Sequence, residues 1–178
     1  MKLRVVELLL VSTLPAMVLA EQGLPTLTLT LATLIGGTLA AGSANAFNMV
    51  IESESDKLMK RTAKRPLATG VLTKNEALIF ATLIGLLSLL IFAVYTNTLT
   101  TALTATAIIF YVWVYTILLK KRTPQNIVWG GAAGCMPALI GWAAVTNSLS
   151  VTAWSFFLVI FFSLFAFEVI RASVISKI

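Results

Sequence analysis

The densest group of charged residues in this sequence lies at positions 52–65, directly after a long apolar stretch. Three acids and five bases fall within these fourteen positions. If the apolar helix continues into them, Asn48, Glu52 and Asp56 are spaced at i, i+4 and i+8, which drifts by only about 40° per step around an α-helix. Two carboxylates and an amide on one face suit Mg²⁺, which is usually held by few protein oxygens together with substrate phosphates. The spacing therefore predicts a magnesium site at a helix end.

The bases of the same segment extend this prediction. They are donors that can neutralise phosphate oxygens, namely Lys57, Lys60, Arg61, Lys64 and Arg65. A metal and a cationic cluster at the end of an apolar helix indicate a site for a membrane-soluble diphosphate. Charges between two membrane helices are also typical of a solvated cytoplasmic loop that sets topology. The residues alone leave both interpretations open.

The composition is that of a membrane protein. The chain has 178 residues, of which 58% are hydrophobic and 11% are charged, and its mean hydropathy is +0.95. A soluble domain carries about 25% charged residues. The sequence contains no histidine, which excludes imidazole ligation of heme or metal and a Ser-His-Asp triad. With Cys135 as its one cysteine, it contains no disulfide framework.

Three uncharged stretches determine the expected number of helices. They cover residues 22–51, 77–119 and 123–167. The last two are much longer than the ~20 residues that one membrane-spanning helix needs, so each must contain two helices. We expect an all-α, polytopic membrane helical bundle that forms a single domain over residues 1–178. Its six transmembrane helices are expected at about 3–20, 28–51, 77–95, 100–119, 127–145 and 152–170.

The first of these segments also has features of a signal peptide. It combines bases with an apolar stretch, and Ala20 stands near a possible cleavage point. Glu7 and Pro15 interrupt the segment, and a second apolar span follows at once. These features favour a transmembrane helix.

Six spans place all bases on one side of the membrane. The 13 lysines and arginines lie near the N-terminus, in the 52–76 and 120–122 loops, and after the last span. By the positive-inside rule this side is cytoplasmic. We therefore expect a multi-pass protein of the cell inner membrane, with its N-terminus and 52–76 loop in the cytoplasm. The net charge of +6 then reflects topology, and nucleic acid is not an expected partner.

Small and polar residues within the spans carry further predictions. Small residues are concentrated at positions 36–44 and 130–134, where close helix packing explains most of them and a phosphate-binding loop is disfavoured. Asn45 and Asn48 lie one turn apart near the end of the second span, and we expect both to face the bundle interior. Their side chains would serve either in packing between helices or in the wall of a ligand site.

A second basic segment follows the fourth span. Lys120, Lys121 and Arg122 come after three aromatic residues, a pattern typical of interface anchors. The topology places this loop on the same face as residues 52–76. Lys120 and Lys121 are therefore also candidates for a second basic rim of the diphosphate site.

The acidic motif resembles that of a known family. Asn48-x3-Glu52-x3-Asp56, followed by Met-Lys-Arg-Thr-Ala-Lys-Arg-Pro-Leu at 59–67, is similar to the first acidic motif of the UbiA-like intramembrane prenyltransferases. Within them it resembles the protoheme IX farnesyltransferases (heme O synthases). Further similar segments are residues 4–10, 41–46 and 120–134, and the resemblance runs from about residue 4 to about 162.

The resemblance implies a reaction and its ligands. Family members transfer the farnesyl group of farnesyl diphosphate to the 2-vinyl group of heme B, which makes heme O in the lipid bilayer. It implies that Asn48, Glu52 and Asp56 are catalytic ligands of Mg²⁺ and the diphosphate. It also implies diphosphate-binding roles for Arg61, Lys64, Arg65, Lys120 and Lys121, and partners among the proteins that assemble cytochrome oxidase.

The resemblance also sets an alternative. Members usually have about nine spans and a second acidic motif after the sixth, whereas the similarity here fades after Phe162. The sequence is therefore expected to lack the C-terminal part of the family. Its alternative function is that of a non-catalytic membrane relative that only binds isoprenoid diphosphate. Generic transport is disfavoured because the acidic helix end lies at the membrane interface rather than at mid-membrane.

Overall fold

Every apolar segment predicted to span the membrane is helical in the computed structural model. The structure describes the backbone of residues 3–59, 62–119 and 126–175, and the side chains of 11–59, 62–119, 129–163 and 165–166. All regular elements in these ranges are helices: α1 (Leu3–Glu21), α2 (Leu27–Ile51), α3 (Ser53–Leu58), α4 (Lys74–Tyr95), α5 (Thr98–Ile109), a π-helical segment (Phe110–Leu119), α6 (Asn126–Thr146) and α7 (Val151–Ile175). The expectation of an all-α, polytopic bundle is confirmed.

Three helical stretches in the described ranges are long and apolar enough to cross a membrane. They are Leu27–Ile51, Lys74–Tyr95 and Thr98–Leu119. Shorter apolar helical stretches occur at Val11–Glu21 and Val151–Ser163. The helices agree with the predicted spans to within a few residues at most ends, because hydropathy determines where they lie in the sequence.

Polar residues at the helix starts determine two of these boundaries. Helix α4 begins with a capping box in which the Thr73 side chain accepts a hydrogen bond from the Glu76 backbone N–H, and the Glu76 carboxylate accepts one from the Thr73 backbone N–H. Helix α5 begins after Asn97, whose Oδ1 accepts from the Thr100 backbone N–H at 2.9 Å. The Asn97 amide also donates to the Ala143 carbonyl at 2.7 Å, which connects the α4–α5 turn to the end of α6.

Helices α2 and α4 pack closely through small residues. Ser43 donates to the Ala81 carbonyl at 2.8 Å, and Ser88 donates to the Gly36 carbonyl at 2.7 Å. Both hydroxyls are buried. A Cβ atom added to Gly85 would lie 2.7 Å from Ser43 Oγ, so the helices approach as closely as glycine permits.

Helices α1 and α6 form a second close pair. A Cβ atom on Gly141 would lie 2.8 Å from the Thr13 carbonyl oxygen, and the Thr13 hydroxyl donates to the Pro137 carbonyl at 3.4 Å. On another side of α6, Leu139 and Trp142 pack with Ala153 of α7 in a buried cluster. Helix α6 therefore positions α1 and α7 around itself.

The fourth span differs from a single regular helix. It is α-helical only to Ile109 and continues as the π-helical segment. In that segment the Thr116 hydroxyl donates to the Tyr111 carbonyl five residues earlier, at 2.9 Å. The wider turn is a local feature that hydrophobic periodicity does not reveal, and such segments are frequent near functional sites.

Candidate functional site

Helix α2 and the short helix α3 form a nearly continuous rod that carries the predicted acidic motif. Helix α2 ends at Ile51, α3 starts at Ser53, and Glu52 joins them with φ −93° and ψ 2°, a sparsely populated backbone region. The condition of a continuous helix, on which the spacing argument was based, is therefore met except at this one residue. The i to i+4 register nevertheless persists: the Glu52 N–H donates to the Asn48 carbonyl at 3.0 Å, and the Asp56 N–H donates to the Glu52 carbonyl at 2.8 Å.

The three motif side chains, Asn48, Glu52 and Asp56, are referred to below as the acidic tip. They are buried, with exposures of 8%, 7% and 2%. A solvated loop that only sets topology would not bury two carboxylates, because a buried charge needs a partner or a metal. For these three residues the geometry favours a ligand site. Glu54 and Lys57, on the other face of α3, are exposed and match the solvated-loop interpretation.

The acidic tip contains oxygen atoms without partners. Asn48 Oδ1 and Asp56 Oδ1 are buried and accept no hydrogen bond within the described part of the chain. The neighbouring Ser53 hydroxyl is also buried and has no hydrogen-bond partner there. Such groups are rare in folded proteins and each costs roughly 1–3 kcal/mol. A ligand that supplies positive charge or donors would satisfy the two acceptors.

The donor set of the tip fits a magnesium ion with a phosphate ligand. The described residues include no group of three or more His, Cys, Asp or Glu side chains that could hold a metal alone. Two carboxylates and one amide oxygen are instead the small set that Mg²⁺ uses when phosphates and water complete its octahedron.

Among the predicted bases whose side chains the structure describes, Arg65 is the one that contacts the tip. Its Nη1 atom forms an ion pair with Asp56 Oδ2 at 2.5 Å, while Asp56 Oδ1 stays unpaired. The turn after α3 makes this contact possible: the Thr62 hydroxyl donates to the Asp56 carbonyl at 3.1 Å, and the Arg65 N–H donates to the Thr62 carbonyl at 3.0 Å. Thr62 is buried, so it fixes the path of the chain back toward the tip.

The other predicted bases divide into two groups. Lys64 is exposed. Arg61, Lys120 and Lys121 lie outside the described residues. Their predicted contacts with a diphosphate stay predictions.

An exposed ion-pair network lies beside the tip. The Glu54 carboxylate accepts from Lys57 at 3.0 Å and from Lys74 at 2.9 Å. The hydrogen bond from Lys74, followed by that from Lys57, lowers the pKa of Glu54 below its ordinary value. The pair with Lys74 connects α3 to the first turn of α4.

An apolar cavity of about 270 Å³ lies among α1, α2, α5, the π-helical segment and α6. Most of its lining is alanine, glycine and aliphatic side chains: Thr13, Thr33, Gly37, Ala40, Ala41, Ala44, Asn45, Thr104, Ala107, Ile108, Tyr111, Gly130, Ala133, Gly134, Met136, Pro137 and Ile140. Asn45 thus faces the interior as predicted. Several small residues attributed to close packing, including Ala41 and Gly134, line this space instead.

Most polar side chains of the cavity wall donate hydrogen bonds to backbone carbonyls within the described part of the chain. The hydroxyls of Thr33 and Thr104 each donate to a carbonyl four residues earlier, and the Asn45 amide donates to the Ala41 carbonyl at 2.8 Å. The cavity therefore offers few free donors and suits a hydrocarbon chain. Tyr111 lines it and lies within electrostatic range of Glu52 and Arg65, so the apolar space adjoins the charged tip.

Two residues of the site were not identified from the sequence. Ser53 and Thr62 are both buried at the tip, but serine and threonine in a charged segment are normally solvated. Their positions in the sequence could have indicated a place near the site, since Ser53 follows Glu52 directly and Thr62 lies between the bases. The sequence does not show whether each side chain faces the tip or the solvent, because the chain turns sharply after Leu58.

Comparison with known proteins identifies the relatives of this chain. It is 58% identical over 160 residues to the protoheme IX farnesyltransferase of Clavibacter sepedonicus, an alignment that covers 90% of this chain and 52% of that protein. It is 52% identical over 161 residues to the protein of the same name from Streptomyces avermitilis, with coverage of 90% and 53%. The chain spans about half the length of the curated relatives it matches.

A solved structure has the same fold. The apo structure of a UbiA homolog from Aeropyrum pernix K1 superposes with a TM-score of 0.75 and 19% sequence identity, covering 95% of this chain and 62% of that one. At this identity the match shows the fold alone. The family model for the UbiA prenyltransferase family matches residues 9–174. Since this match extends over nearly the whole sequence, the chain belongs to the UbiA prenyltransferase family.

Proposed function

We propose that this chain acts in heme O synthesis, transferring the farnesyl group of farnesyl diphosphate to the 2-vinyl group of heme B. The observation that carries the proposal is the buried acidic tip with its unpaired oxygens, adjoining an apolar cavity. A polar head and a hydrocarbon tail are the two parts of a prenyl diphosphate. The names of relatives that are 52–58% identical support farnesyl diphosphate and heme B as the substrates.

We assign the head of the substrate to the acidic tip. Asn48, Glu52 and Asp56 would hold Mg²⁺, with the unpaired Oδ1 atoms of Asn48 and Asp56 among the ligands. When bound, Mg²⁺ supplies positive charge that stabilises the diphosphate as it leaves. Arg65 is already oriented by Asp56 and would donate to a phosphate oxygen.

We assign supporting roles to the remaining bases. Lys64 would contribute from the exposed side. Arg61, Lys120 and Lys121 are proposed as further diphosphate donors from segments outside the described residues. Together they would neutralise the leaving group's charge before the reaction begins.

The reaction has three balanced changes. The bond between C1 of the farnesyl group and the bridging oxygen breaks, and the electron pair leaves with the diphosphate. The terminal carbon of the heme 2-vinyl group forms a bond to C1. Water then adds to the resulting cationic carbon and loses a proton, which gives the hydroxyethylfarnesyl substituent. The cavity wall has few free polar groups, so it would exclude water from C1 until that last step.

The distribution of charged residues supports a proposed location in the cell. We propose that residues 1–178 form one integral-membrane unit of the cell inner membrane, with the N-terminus and the 52–76 loop in the cytoplasm, where they meet a water-soluble diphosphate head. Proteins that assemble cytochrome oxidase are the proposed recipients of the product.

The proposal is tested by turnover of the purified chain. In detergent micelles with farnesyl diphosphate, heme B and Mg²⁺, we expect heme O, detected by chromatography and mass spectrometry. Loss of product on removal of Mg²⁺ with a chelator is also expected. Binding of Mg²⁺-diphosphate without product would contradict the transfer activity and support the alternative of a non-catalytic binder. Absence of both would contradict the site itself.

A further inference from the structure

Ser53 differs from the other helical hydroxyls of this chain. In the described helices a serine or threonine hydroxyl commonly donates to the carbonyl four residues earlier, as Thr33, Thr104 and Ser155 do. Ser53 is only 1% exposed, yet its Oγ has no hydrogen-bond partner in the described part of the chain. A buried hydroxyl that does not use the available backbone acceptor is unusual and indicates a missing partner.

The surroundings of Ser53 restrict what that partner can be. It follows Glu52 directly, and it lies one helical turn before Asp56, so the two side chains are neighbours on α3. The unpaired atoms of Asn48 and Asp56 are acceptors and need a cation or a donor. The Ser53 hydroxyl carries a proton that a metal ion cannot accept. A metal ion with a bound phosphate satisfies all three groups, because the phosphate supplies an acceptor oxygen.

We propose that Ser53 is a further ligand-binding residue, whose hydroxyl donates a hydrogen bond to a phosphate oxygen of the bound diphosphate. It acts beside the metal-holding oxygens of Asn48 and Asp56 and does not itself hold the metal. This assignment rests on the proposed function of the acidic tip, which it extends from the metal to the phosphate.

The experiment compares Ser53→Ala with the unchanged chain, both purified in detergent. Titration calorimetry with inorganic diphosphate and Mg²⁺ is expected to show about tenfold weaker binding for Ser53→Ala, since a hydrogen bond to a charged acceptor is lost. Mn²⁺, which shares the oxygen preference of Mg²⁺, serves as a probe of the metal alone by electron paramagnetic resonance. Its affinity without diphosphate is expected to change less than about twofold.

Two variants serve as controls. Ser55→Ala removes a hydroxyl from the same short helix at a position that is only half-buried, and its diphosphate affinity is expected to stay unchanged. Ser53→Thr retains the hydroxyl and is expected to recover most of the affinity. The thermal midpoint of ligand-free Ser53→Ala should equal or exceed that of the unchanged chain, because an unsatisfied buried group has been removed.

The outcomes separate this inference from the function it rests on. If the unchanged chain binds no Mg²⁺-diphosphate, the proposed function and this inference both fail. If it binds but Ser53→Ala binds equally well, only the role of Ser53 is overturned. A weaker Mn²⁺ affinity in Ser53→Ala would overturn it in favour of a metal ligand, and a lowered thermal midpoint without ligand would overturn it in favour of a structural hydroxyl.

Discussion

Two polar regions on helix α2, only five residues apart, differ in how their side chains are satisfied. At Ser43 the hydroxyl is buried and donates to the Ala81 carbonyl of α4. At Asn48 the amide oxygen is equally enclosed but has no partner in the described part of the chain. Both regions lie where solvent is scarce, so an unmet polar group is costly in either. The difference separates a polar residue that holds helices together from one to which the proposed function assigns a ligand.

This comparison makes a general prediction for substitutions along the rod. Changes between α2 and α4 should lower the stability of the protein and leave its affinity for Mg²⁺-diphosphate unchanged. Changes at the acidic tip should lower the affinity for Mg²⁺-diphosphate and leave the stability of the protein nearly unchanged.

Asp56→Asn is expected to have the largest effect. It replaces a carboxylate by a neutral amide of similar size, so the tip loses a proposed charged metal ligand and Arg65 loses its charged partner. The affinity for Mg²⁺ with inorganic diphosphate should fall by at least about 100-fold, or about 2.7 kcal/mol. Titration calorimetry measures this loss directly.

Glu54→Gln is the matched control for that variant. It removes the same formal charge from the same short helix, but Glu54 is exposed and, among the described residues, pairs only with lysines on the surface. Its effect on diphosphate affinity should be within about twofold because solvent screens exposed pairs. Equal losses in both variants would show that the tip acts through total charge rather than through ligand geometry.

Gly85→Ala is expected to have the largest effect on the other side of the comparison. The new Cβ would lie 2.7 Å from Ser43 Oγ, which forces the two helices apart or breaks the hydrogen bond to Ala81. The free energy of unfolding should fall by about 1–3 kcal/mol, measured by denaturation in mixed detergent. Gly131→Ala is the control, since the one described side chain within 4 Å of its Cβ would be Phe161, at 3.9 Å. A Gly85→Ala protein as stable as the unchanged chain would contradict the close packing described above.

Ser43→Ala removes the interhelical hydrogen bond without adding volume. Hydrogen bonds between membrane helices contribute about 0.6 kcal/mol on average and up to about 1.7 kcal/mol, so a loss in this range is expected. Affinity for Mg²⁺-diphosphate should stay the same. The double variant with Gly85→Ala should lose less than the sum of the two, because removal of Ser43 Oγ relieves the clash. Weaker diphosphate binding in Ser43→Ala would remove the distinction between the two regions.

The smallest expected effect concerns the pH dependence of the exposed network. Lys74 and Lys57 lower the pKa of Glu54 below 4.5 in the folded chain. A carboxyl with a lowered folded pKa contributes stability above its unfolded pKa, and that contribution is lost as the pH falls through the folded value. The difference in thermal midpoint between the unchanged chain and Glu54→Gln should therefore be constant from pH 7 to about 5.5 and shrink as the pH falls through about 4.5. It should disappear below the folded pKa of Glu54, which is lower than 4.5. A difference that does not shrink below pH 4.5 would contradict this origin.

Much of the fold could be predicted because hydropathy reports directly on membrane helices. The second span was expected at residues 28–51 and is observed at Leu27–Ile51. The predicted interior positions of Asn45 and Asn48 are also confirmed, since polar side chains avoid hydrocarbon. These features depend on local composition and on the preference of apolar residues for lipid and of polar residues for the protein interior.

The remaining features depend on contacts between distant residues. The π-helical turn at Tyr111, the pairing of Ser43 with Ala81 and the cavity all require knowledge of which helices adjoin. The same holds for the bases after α3. Lys64 and Arg65 are adjacent in sequence, but only Arg65 reaches Asp56, because Thr62 directs the turn and no periodic pattern encodes its direction.

The small side chains of α2 in the cavity wall determine how long the apolar space is. Gly37, Ala40, Ala41 and Ala44 line the apolar space, and the last of them lies four residues before Asn48. Since these side chains are the smallest available, replacement of one by valine or leucine would shorten the room for a tail by a few carbon atoms. The polar end would be untouched. Under the proposed function, the preferred tail length would therefore change by single substitutions, and the groups that bind the diphosphate would be conserved.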